Sequence, residues 1–177
     1  MTNDLSLALA RAMGEVEFQS AMERFADRFA TYRKRLPTIP YAYSRTRLAA
    51  TDGYEIVAMN WAPGSTSPIH DHGLSRCWVL MLDGILDVQN FVCPDDDPSD
   101  GARAAIRESE RILLRAGDVD HRLGPAELHR VSNPSATENA FSLQLYAAPL
   151  TTYSIVDAHS HRRRIVTATC DLELTAD

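Results

Sequence analysis

Several features that mark whole protein classes are scarce in this chain. The longest uninterrupted apolar run covers residues 77–82, far short of the ~20 residues that a helix needs to cross a bilayer. Cysteine occurs only as Cys77, Cys93 and Cys170, an odd and sparse set that does not build a disulfide scaffold. Positive charge is also short: 18 Lys and Arg against 24 Asp and Glu leave a net charge of −6. Nucleic acids and anionic membranes both require a basic footprint, so neither is expected as a partner. No Lys or Arg precedes Arg11; the basic start of a secretory signal is missing, and a cytoplasmic location is expected. No internal repeat is visible.

What is present reads as globular. The chain has 177 residues, 45% of them hydrophobic and 24% charged, which is about one domain's worth. One domain over 1–177 is expected, in two regions. Phe18, Met22, Phe25, Phe29 and Tyr32 recur at steps of three and four, which places them on one helix face. Gly14 separates this helix from an earlier one, and Pro37 and Pro40 end it. A helical cap is therefore predicted over residues 1–36. Beyond Pro40 the chain changes to short apolar runs with turn punctuation. Strands are predicted at 41–48, 55–61, 77–82, 85–91, 109–114, 127–131, 140–146, 153–156 and 164–168. Asp52-Gly53, Asp83-Gly84, Gly117-Asp118 and Asn133-Pro134 signal turns, and Asp83-Gly84 reads as a two-residue hairpin. Many short strands at this spacing predict a small antiparallel β-barrel over 41–170. The fold class is thus mainly β with a helical cap. The acidic stretch 94–101 reads as a solvated loop.

His70-Asp71-His72 stands just before a predicted strand. In extended chain, residues two apart point to one face, so both imidazoles can aim into a barrel. His129 lies on a later strand, in Leu-His-Arg-Val-Ser-Asn. Three neutral imidazoles suit a first-row transition metal and leave coordination positions open. A His-x-His pair alone is weak evidence, because most histidines are core or surface residues. The frame adds to it: Gly64 lies six residues before His70, Cys77 five after His72, and Gly84 seven after Cys77. This resembles the first motif of the cupin superfamily, with cysteine where most cupins carry a ligating glutamate. His129 followed by Asn133 resembles the end of the second motif.

The cysteine narrows the resemblance. Ser67-Pro68-Ile69-His70-Asp71-His72, with Ser75 and Cys77, is similar to the cysteine dioxygenase family of thiol dioxygenases. So is Leu128-His129-Arg130-Val131 with Asn133. Tyr43-Ser44-Arg45 resembles the family segment that supplies a carboxylate-binding arginine, and Ser142-Leu143-Gln144-Leu145-Tyr146 resembles its Ser-x-His-x-Tyr segment. The likeness runs from about Tyr41 to Val166. It implies a jelly-roll-like cupin barrel, with His70, His72 and His129 as ligands of Fe(2+) and O2 as co-substrate. It also implies Arg45, Tyr43 and Ser142 around the substrate, Tyr146, Cys77 and Gln144 at the reaction centre, and a thioether between Cys77 and Tyr146. The chemistry is consistent: a thiolate is a soft metal ligand, and a guanidinium binds a carboxylate through two hydrogen bonds.

The chain departs from the family at two positions. Gln144 stands where the family has histidine, and glutamine cannot take a proton near neutral pH. Ala148 stands where the family has a cis proline, so a different local backbone is expected. Cys93 and Cys170 read as structural, His121 as a surface residue, and His159 and His161, beside Arg162, Arg163 and Arg164, as solvated. The leading expectation is an iron enzyme that oxidises L-cysteine or a close carboxylated thiol to a sulfinate. Gln144 leaves open a relative that makes a different sulfur product, such as a sulfonamide or a decarboxylated species, with another divalent metal such as Ni(2+). A non-catalytic metal-binding cupin is a third reading. The expected partner is a small thiol amino acid, and the expected state a monomer or weak homo-oligomer.

Overall fold

Turn signals and short alternating runs resolve into twelve strands among the described residues of the computed structural model, which are 29–31, 33–94, 97–122 and 127–174. The strands are β1 (Tyr43–Ala50), β2 (Glu55–Trp61), β3 (Ile69–His70), β4 (Arg76–Asp83), β5 (Ile85–Val92) and β6 (Arg107–Arg115). They continue as β7 (Val119–Arg122), β8 (Leu128–Ser132), β9 (Ala140–Ala147), β10 (Thr152–Val156), β11 (Arg163–Thr167) and β12 (Leu172–Glu173). Two six-stranded sheets result, in the orders β12-β1-β2-β9-β4-β7 and β11-β10-β3-β8-β5-β6. The paired strands are antiparallel, as expected, except β1 with the two-residue β12, which run parallel. The helical cap predicted over 1–36 falls largely outside the described residues. Of it, 29–31 are helical and Arg33–Arg35 form a 3-10 turn.

The nine predicted strands are present to within two residues at each end. The three that were not predicted have physical reasons: β3 and β12 hold two residues each, too few to display a period, and β7 is Val-Asp-His-Arg, a composition that reads as loop. Asp83-Gly84 is a correction. It does not close a hairpin, because β4 and β5 belong to different sheets; it is the corner where the chain crosses between them. Gly84 has φ 79°, and a Cβ there would meet Ala140 Cα at 2.9 Å, so the corner requires glycine.

β2 and β9 are almost wholly buried because their sheet is covered on both faces. Val57, Met59 and Trp61 point inward and cluster with Cys77, Val79, Leu86 and Val88 between the sheets. Ile56 and Ala58 point the other way and join Trp78, Leu80, Leu143 and Leu145 under Leu36, Phe29 and Leu174. That double coverage explains the near-continuous apolar runs in the sequence. Asn133, 2% exposed, ties the barrel end together: its Nδ2 donates to the carbonyls of Trp61 (2.9 Å), Ala62 (3.3 Å) and Glu138 (2.8 Å). Among the described residues no helix is long and apolar enough to cross a membrane.

Candidate active site

The β3–β8 ladder sets His70 directly opposite His129, and His72 follows two residues on. Ring centroids lie 4.3 Å apart for His70 and His129, 4.8 Å for His72 and His129, and 5.4 Å for His70 and His72. One ring nitrogen from each falls within 4.8 Å of the other two. Nδ1 of His70 lies 3.0 Å from the Pro68 carbonyl, and Nδ1 of His129 lies 3.0 Å from the Glu127 carbonyl. A carbonyl only accepts, so these Nδ1 atoms carry the proton and Nε2 keeps its lone pair. Burial lowers the pKa of His70 to about 4. Burial, and then the neighbouring imidazoles, push His72 and His129 well below the usual value. At neutral pH all three rings are uncharged, each keeping one N–H and one lone pair.

Asp71, between the first two histidines, faces away from them. Its Oδ1 accepts from the backbone N–H groups of Gly73 and Ser154, both at 2.9 Å, and its Oδ2 from Arg163 at 3.2 Å. Arg163 and Asp71 are each 1% exposed. The basic run 162–164 therefore contains a buried anchor for the histidine loop. No linear signal separates Arg163 from its two exposed neighbours.

The second sheet supplies the other wall of the pocket. Reading across β7, β4, β9 and β2, Arg122, Cys77, Tyr146 and Glu55 form one row, and Asp120, Val79, Gln144 and Val57 the next. Cys77 and Tyr146 are thus direct cross-strand partners within one buried cluster, and burial pushes both of their pKa values up. The Tyr146 hydroxyl donates to Gln144 Oε1 in a short hydrogen bond. Arg45, from β1, donates from Nη1 to the same hydroxyl at 3.4 Å and from Nε to the Thr169 carbonyl at 2.9 Å. Its Nη2 is buried with no hydrogen-bond partner, 3.9 Å from Glu55 Oε1. Tyr43 also lines the pocket and packs on Trp61, ring centroids 4.7 Å apart. Ser142 differs from the expectation: it is fully buried, does not line the pocket, and accepts from Trp61 Nε1 at 3.0 Å. The peptide between Ala147 and Ala148 is cis, so the different backbone expected from the missing proline is not found. His121 is exposed and stacks on Trp78 at 4.6 Å.

The cysteine dioxygenase type I family model matches residues 8–162. Cysteine dioxygenase type 1 of Bos taurus is 32% identical over 154 residues, which is 85% of this chain and 74% of that protein. The chain belongs to the cysteine dioxygenase type I family. The Homo sapiens member is 31% identical over 156 residues, covering 86% and 74%. Among solved structures, a Klebsiella pneumoniae protein with a double-stranded beta-helix domain aligns with a TM-score of 0.52 and 14% identity. That match covers 71% of this chain and 93% of the other. A Thermus thermophilus protein aligns with a TM-score of 0.50 and 20% identity, over 66% and 94%. At such identities the two structures show the shared fold alone.

Membership makes this cysteine dioxygenase relative a thiol dioxygenase-type oxidoreductase. Enzymes of the family are non-haem iron proteins, and the residues here fit such a group. Three unprotonated nitrogens converge without a carboxylate among them, and His72 Nδ1 is buried with no hydrogen-bond partner. Close lone pairs in a dry site are costly unless a cation takes them. Two pocket features went unread in the sequence: Trp61, hidden in an ordinary apolar strand, and the Asp120–Arg122 pair, hidden in what read as loop.

Proposed function

We propose that the protein is an iron-dependent thiol dioxygenase that converts the sulfur of L-cysteine, or of a close carboxylated thiol, to a sulfinate with O2. The observation that carries this reading is the buried, unfilled Nη2 of Arg45 in the same pocket as the three histidines. A donor left without a partner in a desolvated site is costly, and a substrate carboxylate would fill it. A divalent iron held by His70, His72 and His129 would supply the redox chemistry that joins a thiolate and dioxygen. The chain's own groups do the rest. Arg45 holds the carboxylate and so turns the thiol toward the histidines. Tyr146 keeps its proton, because burial disfavours the phenolate, and spends it on Gln144 while accepting from Arg45. Gln144 accepts from Tyr146 and sets the direction of that hydroxyl. Met59, Trp61 and Leu150 line the pocket and exclude bulk water, which strengthens each polar contact within. The likeness to cysteine dioxygenases supports the choice of thiol and metal.

The test is oxygen uptake by iron-reconstituted protein with L-cysteine, 3-mercaptopropionate and cysteamine, each product being weighed by mass spectrometry. The expected result is preferential turnover of a carboxylated thiol with a gain of two oxygen atoms. Uptake with no thiol, or a product of another mass, overturns the reading.

A further inference from the structure

Behind Arg45 lies a buried carboxylate to which the proposed function gives no role. Glu55 opens β2 on the face that Val57, Met59 and Trp61 turn toward the space between the sheets, because side chains two apart in a strand share a face. It stands directly opposite Tyr146 of β9. Its side chain is 2% exposed and does not line the pocket, whereas Arg45 does. A buried carboxylate needs cations, and β1 supplies two. Glu55 Oε2 accepts from Arg47 Nε at 3.1 Å, and Oε1 lies 3.9 Å from Arg45 Nη2. Arg47 is held in turn by Glu173 of β12. Arg45 is tied to the same stretch of chain: Nε donates to the Thr169 carbonyl, and the backbone N–H donates to Asp171 Oδ2 at 2.8 Å. The two contacts of Glu55 differ in kind. The one to Arg47 is a hydrogen bond. The one to Arg45 is too long to be one, and neither Oε1 nor Nη2 has a hydrogen-bond partner among the described residues. Coulomb attraction still acts at that distance in a desolvated site. Glu55 therefore draws the Arg45 guanidinium without taking up its Nη2 donors. It also separates two like charges, which would otherwise repel across a neutral gap.

We propose that Glu55 is a positioning residue for substrate recognition: it fixes the Arg45 guanidinium against Tyr146, screens it from Arg47, and leaves Nη2 free for the carboxylate of the substrate. The inference rests on the thiol dioxygenase reading and deepens it, because it adds to Arg45 the group that aims it. Charge and positioning act in opposite directions here. A carboxylate beside Arg45 repels an incoming carboxylate, so by charge alone Glu55 would hinder binding; by positioning Arg45 it helps.

The test is anaerobic calorimetry on iron-loaded protein, comparing L-cysteine with cysteamine, which has no carboxylate. Glu55→Gln should weaken L-cysteine about tenfold, the scale of one hydrogen bond to a charged group, and change cysteamine by less than about twofold, with iron content retained. In an Arg45→Ala background the same substitution should have no further effect on L-cysteine, because Glu55 acts through Arg45. If Glu55→Gln does not fold, Glu55→Asp keeps the charge but draws it back, and L-cysteine should weaken about threefold with cysteamine unchanged. Tighter binding of L-cysteine, no change, equal weakening of both thiols, or a further loss in the Arg45→Ala background overturns the role of Glu55 and leaves the thiol reading standing. Binding of neither thiol to the wild type overturns both.

Discussion

In the proposed function, Arg45 is the residue that holds the substrate carboxylate. Its guanidinium touches Tyr146 and the Thr169 carbonyl and leaves Nη2 unfilled. Replacing it with Ala should weaken L-cysteine far more than cysteamine, which has no carboxylate. The expected difference is about 2 kcal/mol or more, roughly thirtyfold in relative dissociation constants; equal losses would show that Arg45 acts on the fold alone. Gln144 is one of the two positions at which the sequence resemblance sets the chain apart from the family. The structure gives it a hydrogen bond to the Tyr146 hydroxyl, and the amide brings no charge to that bond. Polar groups beside a reacting centre contribute to transition-state stabilisation, so Gln144→His should alter the rate or the product mass with L-cysteine. Identical products at identical rates would make the glutamine a neutral replacement.

At the level of elements, the metal centre depends on a loop held by backbone contacts. Gly73 follows His72 with φ 55°, and a Cβ there would come within 2.2 Å of the Thr152 carbonyl oxygen. β10 carries that carbonyl at its start, so the clash is with backbone and cannot be relieved by a side-chain turn. Gly73→Ala should push the loop away from β10, break the N–H contacts that Asp71 receives, and move His72 off the other two histidines. The expected outcome is a large loss of bound iron, measured by metal analysis, together with a lower melting temperature. Full iron occupancy in this variant would mean that the loop tolerates displacement. Asp71 and Arg163 serve the same loop from behind as a buried ion pair.

For the whole molecule, two buried imidazoles and the half-buried His70 tie stability to pH. Burial lowers His70 from an ordinary 6.5 to about 4, and shifts His72 and His129 in the same direction. The unfolded chain therefore binds more protons than the folded one between these values. Stability rises with pH in that window: it is fully present above about 6.5 and is lost as pH falls toward 4. For His70 alone the effect is roughly 3 kcal/mol. The melting temperature of the metal-free protein should accordingly fall steeply between about pH 7 and pH 5, read by calorimetry. A flat profile would show that the imidazoles are solvated in the metal-free state.

The strand content and the identities of the three histidines were legible in the linear chain, because period-two burial and the spacing of His70, His72 and Cys77 are local properties. The same holds for the contact between Gln144 and Tyr146, which follows from two residues on one face of a strand. Other features needed the fold. Asp83-Gly84 carries the local chemistry of a hairpin, but which sheet each flanking strand joins depends on distant partners. Ser142 shares a face with Gln144 and Tyr146, yet Trp61 covers it, and only packing decides that. Arg163, Asp120 and Arg122 look like surface charge in sequence because charged residues are usually exposed. Their burial requires partners that the fold supplies: Asp71, 92 positions from Arg163, and the neutral Asn90, 32 positions from Arg122, which braces the Asp120–Arg122 contact within β7.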